Sequence, residues 1–558
     1  MDNLNSMKRL LFATLVICTY GCKKTETPYT PTTPVVQEES IKFTTNLDTG
    51  NINVKDTMPL VVSVSSKIPT AGLLYSITAT WTDSSKQIFK LDTSSSSSSL
   101  SQNIPGFKKA GNYTLSISVT SKTTTTNALS KLISLSRNNF ILYTTTIPLQ
   151  ISGVSNSNLM TGINGSVSGT IYTKINGKEH LIVSPTLFFS YPLLPALNFI
   201  KNGSTWSLEN SYTSGSMGAG RNYECIDSVN QTWVYADHGL ELSSGTWPHG
   251  NITLMKTTGN SLSFSNISIA KSFYHSVSTG DLNNDGLIDV VGLNMGTKGD
   301  WYDNLHTYMQ NSDGSFSENR TILMSSAGGR GAGAVLVKNL FGDARPEVIR
   351  ADYGFNPTFS QPSDRYSFMI YAYNSSTNKY QLNKDPGPLG VFANKDRGAT
   401  SIKANDFDND GDLDIAVATE GTNFNGIEIW QNDGQGNFTP STNKLEFTFD
   451  QMQFREFNII DANNDGFLDI VLMPFHYGKL FRVGGSGFNL GTGGVYLNNL
   501  LWMNNKGTFS MYSKQIVVPN IKPTYLKSGK INGQFKFIGI ETSVSNSSMN
   551  LYEIPILF

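Results

Sequence analysis

The 558-residue sequence predicts an all-β protein: a seven-bladed β-propeller over 150–558, preceded by a small immunoglobulin-like β-sandwich over 41–145. Three observations lead there. Gly, Ser, Thr, Asn and aromatic residues are abundant and only 15% of residues are charged, the palette of short strands joined by polar turns. Short β-branched and aromatic bursts recur along the chain with almost no helical period. One acidic loop, DLNNDGLID from Asp281 to Asp289, returns as DFDNDGDLD from Asp406 and as DANNDGFLD from Asp461.

Bulk properties narrow the function classes. Lys plus Arg (42) nearly cancels Asp plus Glu (43), so no global charge points to nucleic acid. Hydrophobic residues make up 38% of the chain, enough for a core, in short runs. Beyond the N-terminus none approaches the roughly 20 residues of a spanning helix.

The N-terminus reads as a targeting segment. Met7-Lys8-Arg9 is charged, Leu10 to Thr19 is apolar, and Tyr20-Gly21-Cys22 precedes two lysines. This resembles a bacterial lipobox, although Thr19 stands where Leu is commoner. The resemblance implies removal of 1–21 and lipid attachment at Cys22. The expected address is the cell envelope, at the outer membrane of a Gram-negative bacterium, with the membrane reached through the lipid. The alternative is an ordinary secretory signal with an incidental Cys. Residues 22–40, rich in Thr and Pro, read as a tether. With only Cys18, Cys22 and Cys225 present, no disulfide framework is expected, and Cys225 reads as a small buried apolar residue.

The elements follow in order. IKFTTNL, LVVSVSS, YSITATWT, IFKLD, GNYTLSISVTS and LSKLISL supply the strands of the sandwich, with the serine run Ser94 to Ser99 as a loop tip. Beyond 150 the three acidic loops are joined by weaker copies: INGKEHLIV from Ile175, CIDSVNQTWVYADHG from Cys225, NLFGDARPEVI from Asn339 and INGQFKFIG from Ile531. Units close on a strand and a Gly turn, as in YMQNSDGSFSE, IWQNDGQGNFTP and WMNNKGTFSMY. Seven units of four strands, spaced roughly 55 to 67 residues apart, match a closed propeller. The repeats resemble the FG-GAP/VCBS repeats of integrin α-subunit propellers and many bacterial surface proteins. That resemblance implies the fold and no particular activity.

Each strong loop places oxygen ligands at positions one, three, five and nine. They are Asp281, Asn283, Asp285 and Asp289; Asp406, Asp408, Asp410 and Asp414; and Asp461, Asn463, Asp465 and Asp469. Hard oxygens at alternate positions suit Ca2+, and Gly286, Gly411 and Gly466 at position six permit the sharp turn. Unlike an EF-hand, the ninth residue already begins a strand. The expectation is therefore a calcium-clamped hairpin with a structural role at up to three sites; the alternative is a metal-free, Asx-rich turn. The Asn339 loop carries Phe341 in a ligand slot and is expected to stay empty.

Function is then sought on the face opposite these hairpins. The starts of the first strands carry Arg221, His275, Arg330, Arg397 and Arg455, and the loops between second and third strands carry Trp247, Trp301, Tyr302, His476 and Tyr477. Arg can hold carboxylate or sulfate bidentately, and aromatic rings can stack on sugars or pack on a protein. The bland alternatives are that the aromatics only pack their loops and that the Arg residues pair with Asp237, Asp352 or Asp364. The leading expectation is a non-enzymatic adhesion or binding protein for a glycan or an extracellular protein. The alternative is a propeller-type lyase of uronic-acid glycans using Tyr274 and His275; a scaffold role in an envelope complex is the third reading. No catalytic motif or metal-ligand spacing of the six His is present.

Overall fold

Alternation of buried and exposed residues sets up the N-terminal unit. Thr57–Val64, Leu73–Trp81 and Gly111–Ser121 each turn every second residue inward. In this computed structural model Phe43–Thr45, Thr57–Val64 and Ser99–Pro105 form a three-stranded sheet. A five-stranded sheet follows the order Ile52–Asn53, Leu129–Arg137, Gly111–Ser121, Leu73–Trp81, Lys86–Ser95. Leu60 and Val62 of the first share one core with Tyr75, Ile77, Leu115 and Ile117 of the second. One pairing is parallel, Ile52 and Asn53 against Leu135 and Ser136. The described residues are 42–558 apart from short stretches, the longer being 66–71, 123–128, 164–168, 188–192, 241–249, 295–303, 324–331, 353–367, 385–396, 448–452, 476–494 and 544–547. Cys22 therefore lies outside the described residues.

Seven antiparallel sheets of four strands follow, the fifth with the extra strand Leu445–Phe447. Their first strands are Gly169–Ile175, Gly220–Asp227, Tyr274–Gly280, Ala332–Lys338, Arg397–Asn405, Gln453–Ile460 and Tyr525–Ile531. These touch one another in cyclic order, and the seventh returns to the first. Second strands such as Asp289–Asn294 are buried at every residue. That explains why they read as continuous apolar runs rather than alternating ones.

A first strand pairs with its own sheet on one edge only, so its other edge must find partners elsewhere. Side chains of neighbouring sheets supply them. Ser276 and Ser278 Oγ accept the N–H groups of Val335 (3.1 Å) and Val337 (3.0 Å). Asn222 exchanges two bonds with Val277, at 2.7 and 2.9 Å, and Asn458 donates to Ser528.

The last sheet is completed from the other end of the described chain. Tyr143–Pro148 pairs with Ser548–Pro555, the register running from Ser548↔Pro148 to Glu553↔Tyr143. This strand straddles the boundary between the two ranges read from the sequence and sits with the sheets of the second. Across the same seam runs a buried charge network. Lys201 Nζ meets Glu553 at 2.6 Å, Lys536 Nζ meets Glu553 at 2.7 Å and Glu179 at 3.0 Å, and Trp206 Nε1 donates to Glu553 at 3.3 Å. Burial alone would push the Glu553 carboxyl up, but the bonds from Lys201 and Lys536 hold it below its usual value.

Glu553 thus binds fewer protons folded than unfolded. Its stabilisation is present above pH 4.5, the ordinary value, and fades as pH falls through the depressed folded value. Glu553→Gln should cost about 3 kcal/mol near neutrality, by leaving buried ammonium groups under-compensated. It should also shrink the acid-side fall in stability, read from denaturant midpoints between pH 3 and 7, both figures being an experimental range chosen around the ordinary carboxylate value.

Candidate functional site

The three acidic loops adopt one conformation. Asn284, Asn409 and Asn464, at position four, take φ of 62, 62 and 63°, and Gly286, Gly411 and Gly466 take 85, 102 and 91°. Asn tolerates the left-handed region and Gly prefers it, so N-D-G supplies the two left-handed residues the turn requires, one on each side of the Asp. The first residue caps the turn: Asp281 Oδ1 and Oδ2 accept N–H from Asp285 (3.1 Å) and Gly286 (2.8 Å). Asp406 and Asp461 repeat this on Asp410 with Gly411 and on Asp465 with Gly466.

The ninth residue does something the sequence reading did not anticipate. Asp289, Asp414 and Asp469 are fully buried, and each spends both oxygens on backbone N–H groups. One bond goes to the second loop residue, Leu282, Phe407 or Ala462, at 2.9, 3.1 and 2.8 Å. The other goes to the third strand of the same sheet, at Gln310, Asn432 or Asn504, at 2.9, 2.9 and 2.8 Å. Burial pushes all three carboxyls up to about 6.

The first two acidic loops are also docked onto the next sheet through the carbonyl of their second residue. Leu282 O accepts from Arg345 Nη1 (3.2 Å) and the Tyr380 hydroxyl (3.1 Å); Phe407 O accepts from Asn504 Nδ2 at 2.7 Å and Gly507 N at 3.1 Å. Gly507 fits because a Cβ there would come within 2.9 Å of the Asp408 side chain.

Oxygen donors fit a hard cation best in the second loop. Asp406, Asp408 and Asp414 bring carboxylate oxygens within 4.8 Å of one another. Burial and the neighbouring Asp410 and Asp406 raise the Asp408 carboxyl, the repulsion a cation would relieve. Asn283 and Asn463 replace a charged donor in the other two loops, and the Lys530 ammonium stands 3.6 Å from Asp461 Oδ2.

The Asn339 loop keeps the hairpin with different chemistry. Glu347 replaces the ninth Asp and accepts the Leu340 N–H at 2.7 Å; Phe341 packs as a partly buried side chain against the core that includes Trp430. The Arg345 guanidinium lies 3.7 Å from the Tyr373 ring centre.

The second candidate region lies among the first strands of the sheets. A cavity of about 620 Å³, its open mouth included, is lined by first-strand residues, among them Tyr223, Glu224, His275, Lys403 and Glu456. Of the five proposed cationic positions only the His275 side chain is described, and it lines this cavity. Arg221, Arg397 and Arg455 lie at the starting ends of first strands, and the acidic loops leave the other ends. Arg330, Trp247, Trp301, Tyr302, His476 and Tyr477 lie outside the described residues. Tyr274, offered above as a lyase residue, is fully buried and bonded to the Tyr308 hydroxyl (2.6 Å) and His306 Nδ1 (3.1 Å). Burial pushes its hydroxyl up to about 12, so it is no base toward a substrate. Cys225 is half-buried rather than buried, and desolvation pushes its thiol up to about 11, away from nucleophilic use.

Sequence reasoning missed Glu224, Lys403, Glu456 and Lys527. A signal was present for two of them: Lys403 in SIKAN and Lys527 in YLKSG are lone charges in their stretches, whereas Glu224 lies between Arg221 and Asp227 and Glu456 directly follows Arg455.

Residues 406–472 match an FG-GAP-like repeat. The FG-GAP-like segment spans the second acidic loop, the remainder of its sheet, and the first two strands of the next sheet with the third loop. No curated protein matches the chain. A solved structure described as a tetra-tandem repeat in the extending region of a large adhesion protein is similar over 80% of this chain and 97% of its own, at 10% identity and a TM-score of 0.15. A likeness that low carries no argument.

Burial pushes Glu347 up to about 7 from 4.5. The folded state therefore holds a proton there that the unfolded state releases, and stability falls as pH rises from 4.5 through about 7. Glu347→Gln should flatten that fall relative to the parent protein in urea midpoints measured across this window. An unchanged slope would place the titration elsewhere.

Proposed function

We propose that this chain is a lipid-anchored binding or adhesion protein. In this reading the seven sheets are blades of a propeller, the N-terminal unit is an immunoglobulin-like spacer, and Cys22 carries the anchor. Ca2+ stabilises up to three loops, and a glycan or protein partner is recognised on the face opposite. The observation that carries the reading is the docking of the acidic loops into neighbouring sheets. Leu282 and Phe407 are buried and their carbonyls are held by the following sheet. Loops committed in this way organise the fold and leave recognition to the other ends of the strands, where Arg221, Arg397 and Arg455 start. The FG-GAP-like match supports a repeat-built binding protein.

When bound, Ca2+ would supply positive charge among the loop carboxylates. Asp406, Asp408, Asp410 and Asp414 are the residues that would hold it in the second loop. Calcium at a hundred times its Kd should stabilise by about 2.7 kcal/mol per site. Melting with calcium and with chelator should differ, and Asp408→Asn should reduce the difference. Equal melting in the two conditions would count against occupied, stabilising sites.

Recognition is tested by retention of the full chain on uronic-acid and sulfated glycans. Arg397→Ala and Trp301→Ala should each lower retention. Binding that neither variant weakens would move the site off this face, and release of unsaturated, ultraviolet-absorbing product would favour the lyase reading.

A further inference from the structure

The cavity among the first strands is lined by charges of both signs. Glu456 does have partners there: Lys527 Nζ lies 2.9 and 3.0 Å from its two oxygens, and the Tyr223 hydroxyl donates to it at 3.2 Å. Lys527 is buried, and its ammonium also sits 4.5 Å from the Tyr223 ring centre. Burial pulls Lys527 down, and Glu456 offsets part of that. This pair is internally neutralised.

Glu224 and Lys403 are different. Both line the same cavity, from the first strands of the second and fifth sheets. Neither makes a hydrogen bond or ion pair among the described residues; Lys403 has only the Phe457 ring, its ammonium 5.9 Å from the ring centre. Glu224 keeps part of its surface open to the cavity, yet the protein packed around it desolvates the carboxyl and pushes it up, with Lys403 and Lys338 opposing. An unpaired carboxylate and an unpaired ammonium facing one small cavity are costly to maintain and of no evident use to folding. Glu456, which also lines the cavity, is already neutralised by Lys527, so an ion of a single sign would satisfy one of the two remaining groups and leave the other.

We propose that this cavity binds a small zwitterion of the amino-acid type, its ammonium group on the Glu224 carboxylate and its carboxylate on the Lys403 ammonium. The inference does not depend on the recognition face or on calcium. Tyr223 and His275 also line the cavity.

The test is isothermal titration of the full chain with glycine and L-alanine, and with acetate and methylammonium as probes of one charge each. Saturable binding of the zwitterions is expected, at least tenfold tighter than either single-charge probe. Glu224→Gln and Lys403→Met, both checked for native circular dichroism, should each weaken it at least tenfold. Absence of heat with both zwitterions would overturn the proposal. So would acetate binding as tightly as glycine, which would mark a simple anion site, or binding that survives both substitutions. Glycan retention, measured separately, reports on the outer face alone.

Discussion

Tyr143–Pro148 completes the seventh sheet beside Ser548–Pro555, and that sheet closes the cyclic order by meeting the first. Each sheet covers the apolar faces of its neighbours, so an open row would leave two faces wet. In the contact order observed, no end is left over, because the first and seventh sheets meet. The pairing brings together segments some four hundred positions apart, as the bond from Thr146 to Asn550 shows (404 positions). Loop closure over such a length is entropically costly, though only logarithmically so in chain length. The largely buried network of Lys201, Lys536, Glu179 and Glu553 links the first sheet to the seventh, where complementary charges favour this meeting of sheets over others. Apolar faces cannot do that, since one sheet face resembles another; charges buried in complementary positions can.

Local chemistry and ring geometry meet in the second residue of each acidic loop. Its N–H is held by the ninth Asp of its own loop and, in Leu282 and Phe407, its carbonyl by the following sheet. A loop held at its centre by a cation would therefore stiffen a junction between sheets as well as a turn. The fourth loop reaches the same end without the acidic ligand set. Arg345 from that loop reaches Leu282 of the preceding one, and Asn432 Nδ2 of the fifth sheet reaches Leu340 O at 3.4 Å. Docking is the common requirement, and the metal-ligand pattern is one way of meeting it.

The sequence was most legible where one local rule repeated. Seven units, their hairpins and their closing Gly turns could be read because D-x-x-N-D-G chemistry in three of them and buried β-branched runs act within a few residues. The ninth Asp was harder. As a carboxylate in a loop it read only as a ligand, and its burial and two backbone N–H partners add an anchoring role for the hairpin. Tyr143–Pro148, which straddles the boundary read at 145, was not read as a strand of the last sheet because its partner is far away in sequence. The serines and asparagines that satisfy first-strand edges, Ser276, Ser278, Asn222 and Asn458, looked like ordinary polar strand residues. Their role depends on a neighbouring sheet that no local pattern specifies.

The same reasoning separates structural from functional charge among the first strands. A first strand faces its neighbours and the cavity, so polar side chains there either stitch sheets together or face the space between them. Asn222 and Ser276 stitch, and Glu456 with Lys527 closes on itself. Glu224 and Lys403 do neither, although both stand close enough to feel one another electrostatically. A direct bond between them would have removed much of the desolvation cost of each, so the geometry that keeps them apart stands against folding stability. Space of that kind between opposite charges is what a ligand carrying both signs would fill.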